Sequence, residues 1–380
     1  MDFAFLSEQE MLRESARRFL SAQCPSSFVR RMMTDDTAHD LGLWQKLVDM
    51  GWLAMVVPER DGGQGASFLD LAVVLEEAGR ALMPGPFFST ATLGASVLAE
   101  DAEPARRRAL MERLARGKLI CTLALAEAAG EYDAKSVCMR AEKHGARYVL
   151  SGEKWFVPDA HLADSLAVAA RTAAAENDAE YGITLFWVDA KAPGIEVTQL
   201  KTIDMTRRLC HLRLERVIVE PVAIIGQEHL GWPLVRRALQ VATAALCAEM
   251  VGTAQKALDM AVEYAKVRTQ FGKPIGAFQA VKHKCVDMMV ALENARSLAY
   301  YACWAVNQHA LEAARAVAMA KAQVSDMAKY VTSEAIQVHG GIGFTWDHDL
   351  HLYYRRAVAG EAALGNAAVH RESVARALSP

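Results

Sequence analysis

The sequence predicts an α+β protein built as a helical block, a strand block and a second helical block. Three observations predict it. Apolar residues recur at helical spacing through the first part of the chain. From Leu119 the period changes to short apolar or alternating runs broken by Gly, Asp and Pro. From Leu234 long helical periods return. The changes of period divide the chain into residues 1–118, 119–226 and 227–380.

In the first block, Ser7-Glu8-Gln9-Glu10 fits a capping box, with Met11, Ala16, Phe19 and Leu20 following at helical spacing, so a helix is expected near 8–22. Further helices are expected at 43–50, 68–82, 90–98 and 105–114, separated by turn-rich pieces such as Pro58-Glu-Arg-Asp-Gly-Gly-Gln-Gly65. The second block reads as an antiparallel β domain with strands at 120–126, 136–141, 146–151, 165–170, 182–188, 195–200 and 209–219. The third reads as helices at 234–268, 279–309, 313–339 and 357–378, whose wide apolar faces suit a bundle and contacts with other subunits.

Composition excludes several function classes. The 380 residues carry a formal net charge of -3, with Lys and Arg scattered, which is no footprint for nucleic acid or an anionic membrane. The seven cysteines are widely spaced and contain no Cys-x-x-Cys pair, so they read as reduced thiols of a cytoplasmic protein. Asp2 and Glu8 stand where a leader would be basic and then apolar, so no signal peptide is expected. No uncharged window approaches the ~18 residues of a membrane span. His339, His348 and His351 lack a helical His pair or a Cys partner, so no metal is expected, and no nucleophile elbow is visible.

One stretch organises the rest. Gln337-Val-His-Gly-Gly-Ile-Gly-Phe follows a helical period, and side-by-side glycines let a backbone approach a ligand closely. Tyr354-Arg355-Arg356 comes next and leads into the apolar Ala-Ala-Leu-Gly ending at Gly365. An ordinary helix stop accounts equally for Gly340 and Gly341 taken alone, as a solvated cation does for Arg268.

The segment Tyr264-Ala-Lys-Val-Arg-Thr-Gln-Phe-Gly-Lys-Pro-Ile-Gly-Ala-Phe-Gln279 resembles the long-helix motif of the acyl-CoA dehydrogenases. Gln337-Val-His-Gly-Gly-Ile-Gly-Phe344 resembles that family's Gln-x-x-Gly-Gly-x-Gly motif at the expected distance downstream, and Tyr148-Val-Leu-Ser-Gly-Glu-Lys-Trp155 resembles its β-domain segment. The resemblance spans almost the whole chain. It implies an N-terminal helical domain, a middle antiparallel β-barrel and a C-terminal four-helix bundle, assembled as a tetramer that is a dimer of dimers. It also implies bound FAD. Arg268, Gln270 and Phe271 are expected to meet the pyrophosphate and adenosine of a partner subunit's FAD, with Phe278 and Gln279 nearby, while Gln337, Val338, His339, Gly340 and Gly341 cradle it from the other side. An Arg fork and exposed backbone N–H groups suit a pyrophosphate dianion on chemical grounds as well.

The family's Thr-Glu-Pro-x-x-Gly-Ser loop and Trp-Ile-Thr strand correspond to Ala126-Glu127-Ala-Ala-Gly-Glu131 and Phe156-Val-Pro158. Glu127 and Phe156 are therefore candidate flavin contacts. The hydroxyls are lost, and Pro158 offers no N–H. Electrons are expected to pass from an acyl-CoA substrate to an electron-transfer flavoprotein, with the α-proton taken by a carboxylate. Counting from Tyr354-Arg355, the family's Glu-Gly falls on Leu364-Gly365; counting back from Arg268, the alternative base position falls on Ala242. Neither residue accepts a proton. Glu249, seven residues beyond Ala242, and Glu361, one turn before Leu364 if the segment is helical, are the remaining candidates. The resemblance thus leaves two forms of the dehydrogenase: one with a displaced base, or the base-less subunit of a hetero-oligomer, as in members that act on bulky chains such as steroid side chains. A flavin-dependent monooxygenase or oxidase and a non-catalytic structural subunit are the alternatives. In either dehydrogenase form the Leu364 backbone N–H can still donate to a thioester carbonyl.

Overall fold

The computed structural model describes residues 6–175 and 177–378, and groups them into two compact units. Among the described residues, one unit comprises those through residue 31, those of 68–83 and those from 243 onward; the other comprises those of 32–67 and 84–242.

In chain order the helices are α1 (Ser7–Gln23), α2 (Ser26–Thr34), α3 (Leu41–Asp49), α4 (Trp52–Met55), α5 (Phe68–Arg80), α6 (Ala95–Ala99), α7 (Pro104–Ala115), α8 (Trp232–Val267), α9 (Gln279–Asn307), α10 (Ala313–His339), α11 (Leu350–Ala362) and α12 (Ala367–Leu378). The first helix starts one residue earlier than its sequence signature predicts. Gln9 rather than Glu10 reaches back, accepting the Leu6 N–H at 3.2 Å, so Ser7 is already inside the helix. The expected helix at 90–98 is instead a π-helical segment, Ser89–Gly94, running into α6. The continuous helix expected at 357–378 is broken between α11 and α12, because Leu364 (φ +58°) and Gly365 (φ +90°) are left-handed and Asn366 restarts the helix by accepting the Val369 N–H at 3.0 Å.

The strand-bearing unit holds β1 (Cys121–Ala124), β2 (Arg140–His144), β3 (Arg147–Pro158), β4 (Ser165–Arg171), β5 (Ile183–Asp189), β6 (Ile195–Gln199), β7 (Leu209–Val219) and β8 (Ile224–Ile225). They pair in the order β6-β7-β3-β2-β4-β5-β8, with β1 beside β4. The sheet is mixed rather than purely antiparallel, since β1 runs parallel to β4. Among the described residues its path is open, with β6 and β8 at the ends, so closure into a barrel is not seen. Cys210, Leu212 and Leu214 face the core, and past a bulge at Arg216 (φ +53°) Val217 and Val219 do, so the alternation changes phase in mid-strand. Tyr148, Leu150, Phe186 and Leu212 are among the buried side chains of this core, each worth about 1.5–3 kcal/mol when a large apolar side chain is fully buried.

In the helical unit α1 packs on α5, α5 on α9, and α10 on α9, α11 and α12. Alanine-rich α10 is a strong helix former with a buried face that includes Ala316, Ala320, Val324, Met327 and Val331. α5 crosses α8 with backbones in contact: a Cβ on Gly79 would lie 1.9 Å from the Glu249 carbonyl oxygen, and one on Gly252 1.7 Å from that of Glu76. Only glycine permits that approach, and it fixes Glu249 in the interior. No described helix is long and apolar enough to cross a membrane.

Candidate functional site

In the strand-bearing unit, β3 carries two residues, Trp155 and Phe156, opposite the single His211 of β7. This bulge gives Phe156 a left-handed φ of +56° and leaves its side chain 38% exposed. Bulges of this kind re-aim a side chain beside a site. The Phe156 ring lies against Gly130, where a Cβ would come within 3.3 Å of it, and the Trp155 N–H is donated to the Ala126 carbonyl at 2.8 Å. The loop predicted to face a flavin is thus tied to the strand predicted to face it. Glu127 is engaged inward: one carboxylate oxygen accepts the Cys138 N–H at 2.9 Å, the Met139 N–H at 2.8 Å and the Lys154 ammonium at 2.8 Å. Lys154 is fully buried and also donates to the Leu125 carbonyl at 3.0 Å; burial lowers its pKa, with Glu127 opposing. The acid at 127 therefore frames the loop. Lys154 was not singled out from sequence, although a lysine amid a strand's apolar positions is a signal of a buried partner.

In the helical unit, α8 runs into a hairpin of β9 (Thr269–Gln270) and β10 (Lys273–Pro274). Its two-residue turn has φ of +51° at Phe271 and +76° at Gly272, the signs of a type I′ turn. Phe271 stands 91% exposed at its tip, edge-on to Phe278, whose own ring lies under the Lys273 ammonium. The exposed Arg268 guanidinium has no partner among the described residues, and Gln270 and Gln279 are exposed beside it in sequence.

At the end of α10, Gln337 is exposed while Val338 and His339 are buried. His339 donates from Nδ1 to the Ala335 carbonyl at 2.8 Å and stacks on Tyr264 with ring centroids 4.4 Å apart; burial lowers its pKa. Because the Arg268 N–H bonds to the Tyr264 carbonyl, this stack joins the root of the hairpin to the glycine motif. The structure therefore brings together two motifs separated by some seventy residues. Gly340 (φ +64°) ends the helix, and a Cβ on it or on Gly341 would meet nothing within 4 Å. Open space thus surrounds the backbone at Gly340 and Gly341, while the Gly340 N–H itself is turned back to the Gln337 and Ile336 carbonyls; with the exposed Arg268 guanidinium at the root of the stacked hairpin, the region suits the negative charge of a phosphorylated ligand.

The candidate proton acceptors are placed otherwise. Glu249 is buried and its carboxylate is paired with the buried Arg356 of α11. Arg356 was passed over in the sequence, where Tyr-Arg-Arg reads simply as ligand-binding cations. Glu361 lies half-buried in the last turn of α11, and Leu364 lies beyond the helix end, so the helical spacing assumed between them does not hold. Ala242 is fully buried. Lys321 and His370, also unforeseen, hold the backbone around Leu364.

Models of the acyl-CoA dehydrogenase N-terminal, middle and C-terminal domains match residues 7–118, 122–217 and 229–379. Acyl-CoA dehydrogenase IpdE2 of Mycobacterium tuberculosis is 34% identical over 351 residues, covering 92% of this chain and 91% of that protein. The crystal structure of the ChsE4–ChsE5 complex from Mycobacterium tuberculosis superposes with a TM-score of 0.90 at 29% identity, and the three-dimensional structure of butyryl-CoA dehydrogenase from Megasphaera elsdenii with 0.91 at 26%, each covering 100% of both chains. Members of this family bind FAD, and the open glycine cradle and unpaired Arg268 fit such a group. The chain belongs to the acyl-CoA dehydrogenase family of flavoprotein oxidoreductases.

Proposed function

We propose that this chain is the base-less subunit of a hetero-oligomeric acyl-CoA dehydrogenase, which converts an acyl-CoA to a 2-enoyl-CoA and passes electrons to an electron-transfer flavoprotein. The observation that carries the reading is the pairing of Glu249 with Arg356. With Ala242 and Leu364 at the two family base positions, Glu249 is the remaining carboxylate on α8 displaced by two turns, and it is engaged. Protonating it would remove the negative charge that faces the buried Arg356, at about 3–5 kcal/mol.

When bound, FAD supplies the acceptor for the substrate's β-hydride. Arg268, Gln270 and Phe271, with Phe278 and Gln279 following the hairpin, would bind the pyrophosphate and adenosine ends of a partner subunit's FAD, and Gln337, Val338, His339, Gly340 and Gly341 would cradle that same FAD from the other side. In the strand-bearing unit Phe156 would stack on a flavin ring and Glu127 would hold the loop beside it, while the Leu364 N–H would polarise the thioester carbonyl. The α-proton is taken by a carboxylate of an unlike subunit that binds beside this one. A two-component relative, the ChsE4–ChsE5 complex, supports that assembly. A middle domain closed as a barrel and a four-helix bundle, assembled as a dimer of dimers, complete the proposed architecture.

The test is purification of the chain alone and after co-expression with paralogous subunits, reading mass, flavin absorbance and acyl-CoA oxidation. Activity that appears only with an unlike subunit supports the proposal. Stoichiometric FAD and ordinary dehydrogenase rates from the chain alone would overturn it.

A further inference from the structure

The segment after α11 is held from two other helices by its carbonyls. Lys321, fully buried in α10, donates to the Glu361 carbonyl at 2.9 Å, the Gly365 carbonyl at 2.9 Å and Ser325 Oγ at 3.1 Å. An ammonium has three N–H donors, so this one is fully used. His370 of α12 lies 2.9 Å from the Leu364 carbonyl, which can only accept, so Nε2 carries the proton. Carbonyls 361, 364 and 365 are therefore all engaged.

The Leu364 N–H is not: it has no acceptor among the described residues. Leu364 is also left-handed, at φ +58°, a conformation costing a non-glycine residue roughly 1–2 kcal/mol that persists only where the surroundings impose it. Lys321 has no carboxylate within ion-pair distance among the described residues; Cys247 of α8, Glu361 of α11 and His370 of α12 are the titratable groups acting on it or acted on by it. Burial pushes its pKa down to about 8. A charge so placed weakens the core compared with an apolar side chain, so its contribution lies in what it holds.

We infer that Lys321 and His370 are positioning residues which hold the Leu364 N–H as the donor to a thioester carbonyl and so make the site select CoA thioesters over carbonyl-free analogues. This rests on the CoA-thioester reading above. A donor held in place before the ligand arrives loses no further freedom on binding, whereas a relaxed segment would turn the N–H to solvent or to a local carbonyl.

The experiment uses the flavin-loaded full chain with any subunit that co-purifies, and measures binding of octanoyl-CoA and of S-octyl-CoA, which keeps the chain and lacks the carbonyl. The wild type is expected to favour the thioester about tenfold, the worth of one well-placed hydrogen bond. Lys321→Met and His370→Leu are expected to bring that ratio below about twofold while leaving S-octyl-CoA affinity in place. His370→Gln, which keeps a donor, restores the ratio. If Lys321→Met does not fold, the two His370 variants decide the matter. Folded variants that keep the full preference overturn the inference, as does a wild type that binds both ligands equally. A wild type that binds neither ligand overturns the CoA-thioester reading itself, and the inference with it.

Discussion

Two helix ends in the same unit meet opposite fates. α10 stops at Gly340 and Gly341 with open space around their backbone, while α11 stops at residues 363–365 with the surrounding carbonyls clamped by Lys321 and His370. Both ends rely on a residue of positive φ, yet the first keeps open space beside its backbone and the second has its carbonyls held by buried side chains. The contrast teaches that cofactor-binding parts and catalytic parts of one fold are separable. On the proposed function the first keep the family's sequence pattern, while the two family base positions hold Leu364 and Ala242 and the displaced Glu249 is paired with Arg356.

The largest expected effect concerns that pair. Arg356→Leu removes the cation facing the buried Glu249 carboxylate and is expected to lower stability by about 3–5 kcal/mol, while Glu249→Leu with Arg356→Leu recovers most of the loss. Denaturant midpoints of the two single variants and the double variant check this, and a double variant less stable than both singles would show that the pair is not the unit at work.

Next in size is Arg268→Ala. The side chain is exposed and has no partner among the described residues, so folding stability is expected to be unchanged while FAD affinity falls about 10–100-fold, the range for a charge-assisted hydrogen bond to phosphate. Arg268→Lys should fall between, because the fork is lost but the charge is kept. Flavin titration of the apoprotein measures both, and a loss of stability without a loss of flavin would move Arg268 out of the cradle.

Gly341→Ala sharpens the comparison further. A Cβ there meets no atom of the described residues within 4 Å, so the flavin-free protein is expected to melt as the wild type does. Any weakening of FAD binding then reports contact with the ligand. Equal FAD affinity would mean the backbone is not approached closely.

The smallest effect is a pH slope. Burial puts the folded pKa of Lys321 at about 8, below its ordinary 10.5. Between those values the folded state binds fewer protons than the unfolded state, so this group makes stability rise with pH across that window. In Lys321→Met that component of the slope is expected to vanish; an unchanged slope would mean the ammonium is better solvated than its packing implies.

Much of this was legible in the sequence, for physical reasons. The alternation of periods placed the helical and strand blocks because each long element buries one face. The glycine motif was readable because φ > 0 and open approach require glycine. What was not legible depends on long-range pairing. A lone Lys321 in an alanine-rich helix and the second arginine of Tyr-Arg-Arg give no local sign of their structural partners, which the fold supplies as Gly365 and Glu249. The break at residues 363–366 was hidden for the same reason: alanine and leucine favour helix locally, and only the clamp and the Asn366 cap make the interruption stable. The bulge that turns Phe156 outward likewise arises from register with β7, which no local pattern encodes.

The most direct test of the account is acyl-CoA oxidation by the flavin-loaded chain without any unlike subunit, in the wild type and in Leu364→Glu. The account predicts no turnover above background for the wild type and a gain of about 10²-fold or more when a carboxylate is returned to the vacant position. Full turnover by the wild-type chain, unaltered by Leu364→Glu, would contradict it.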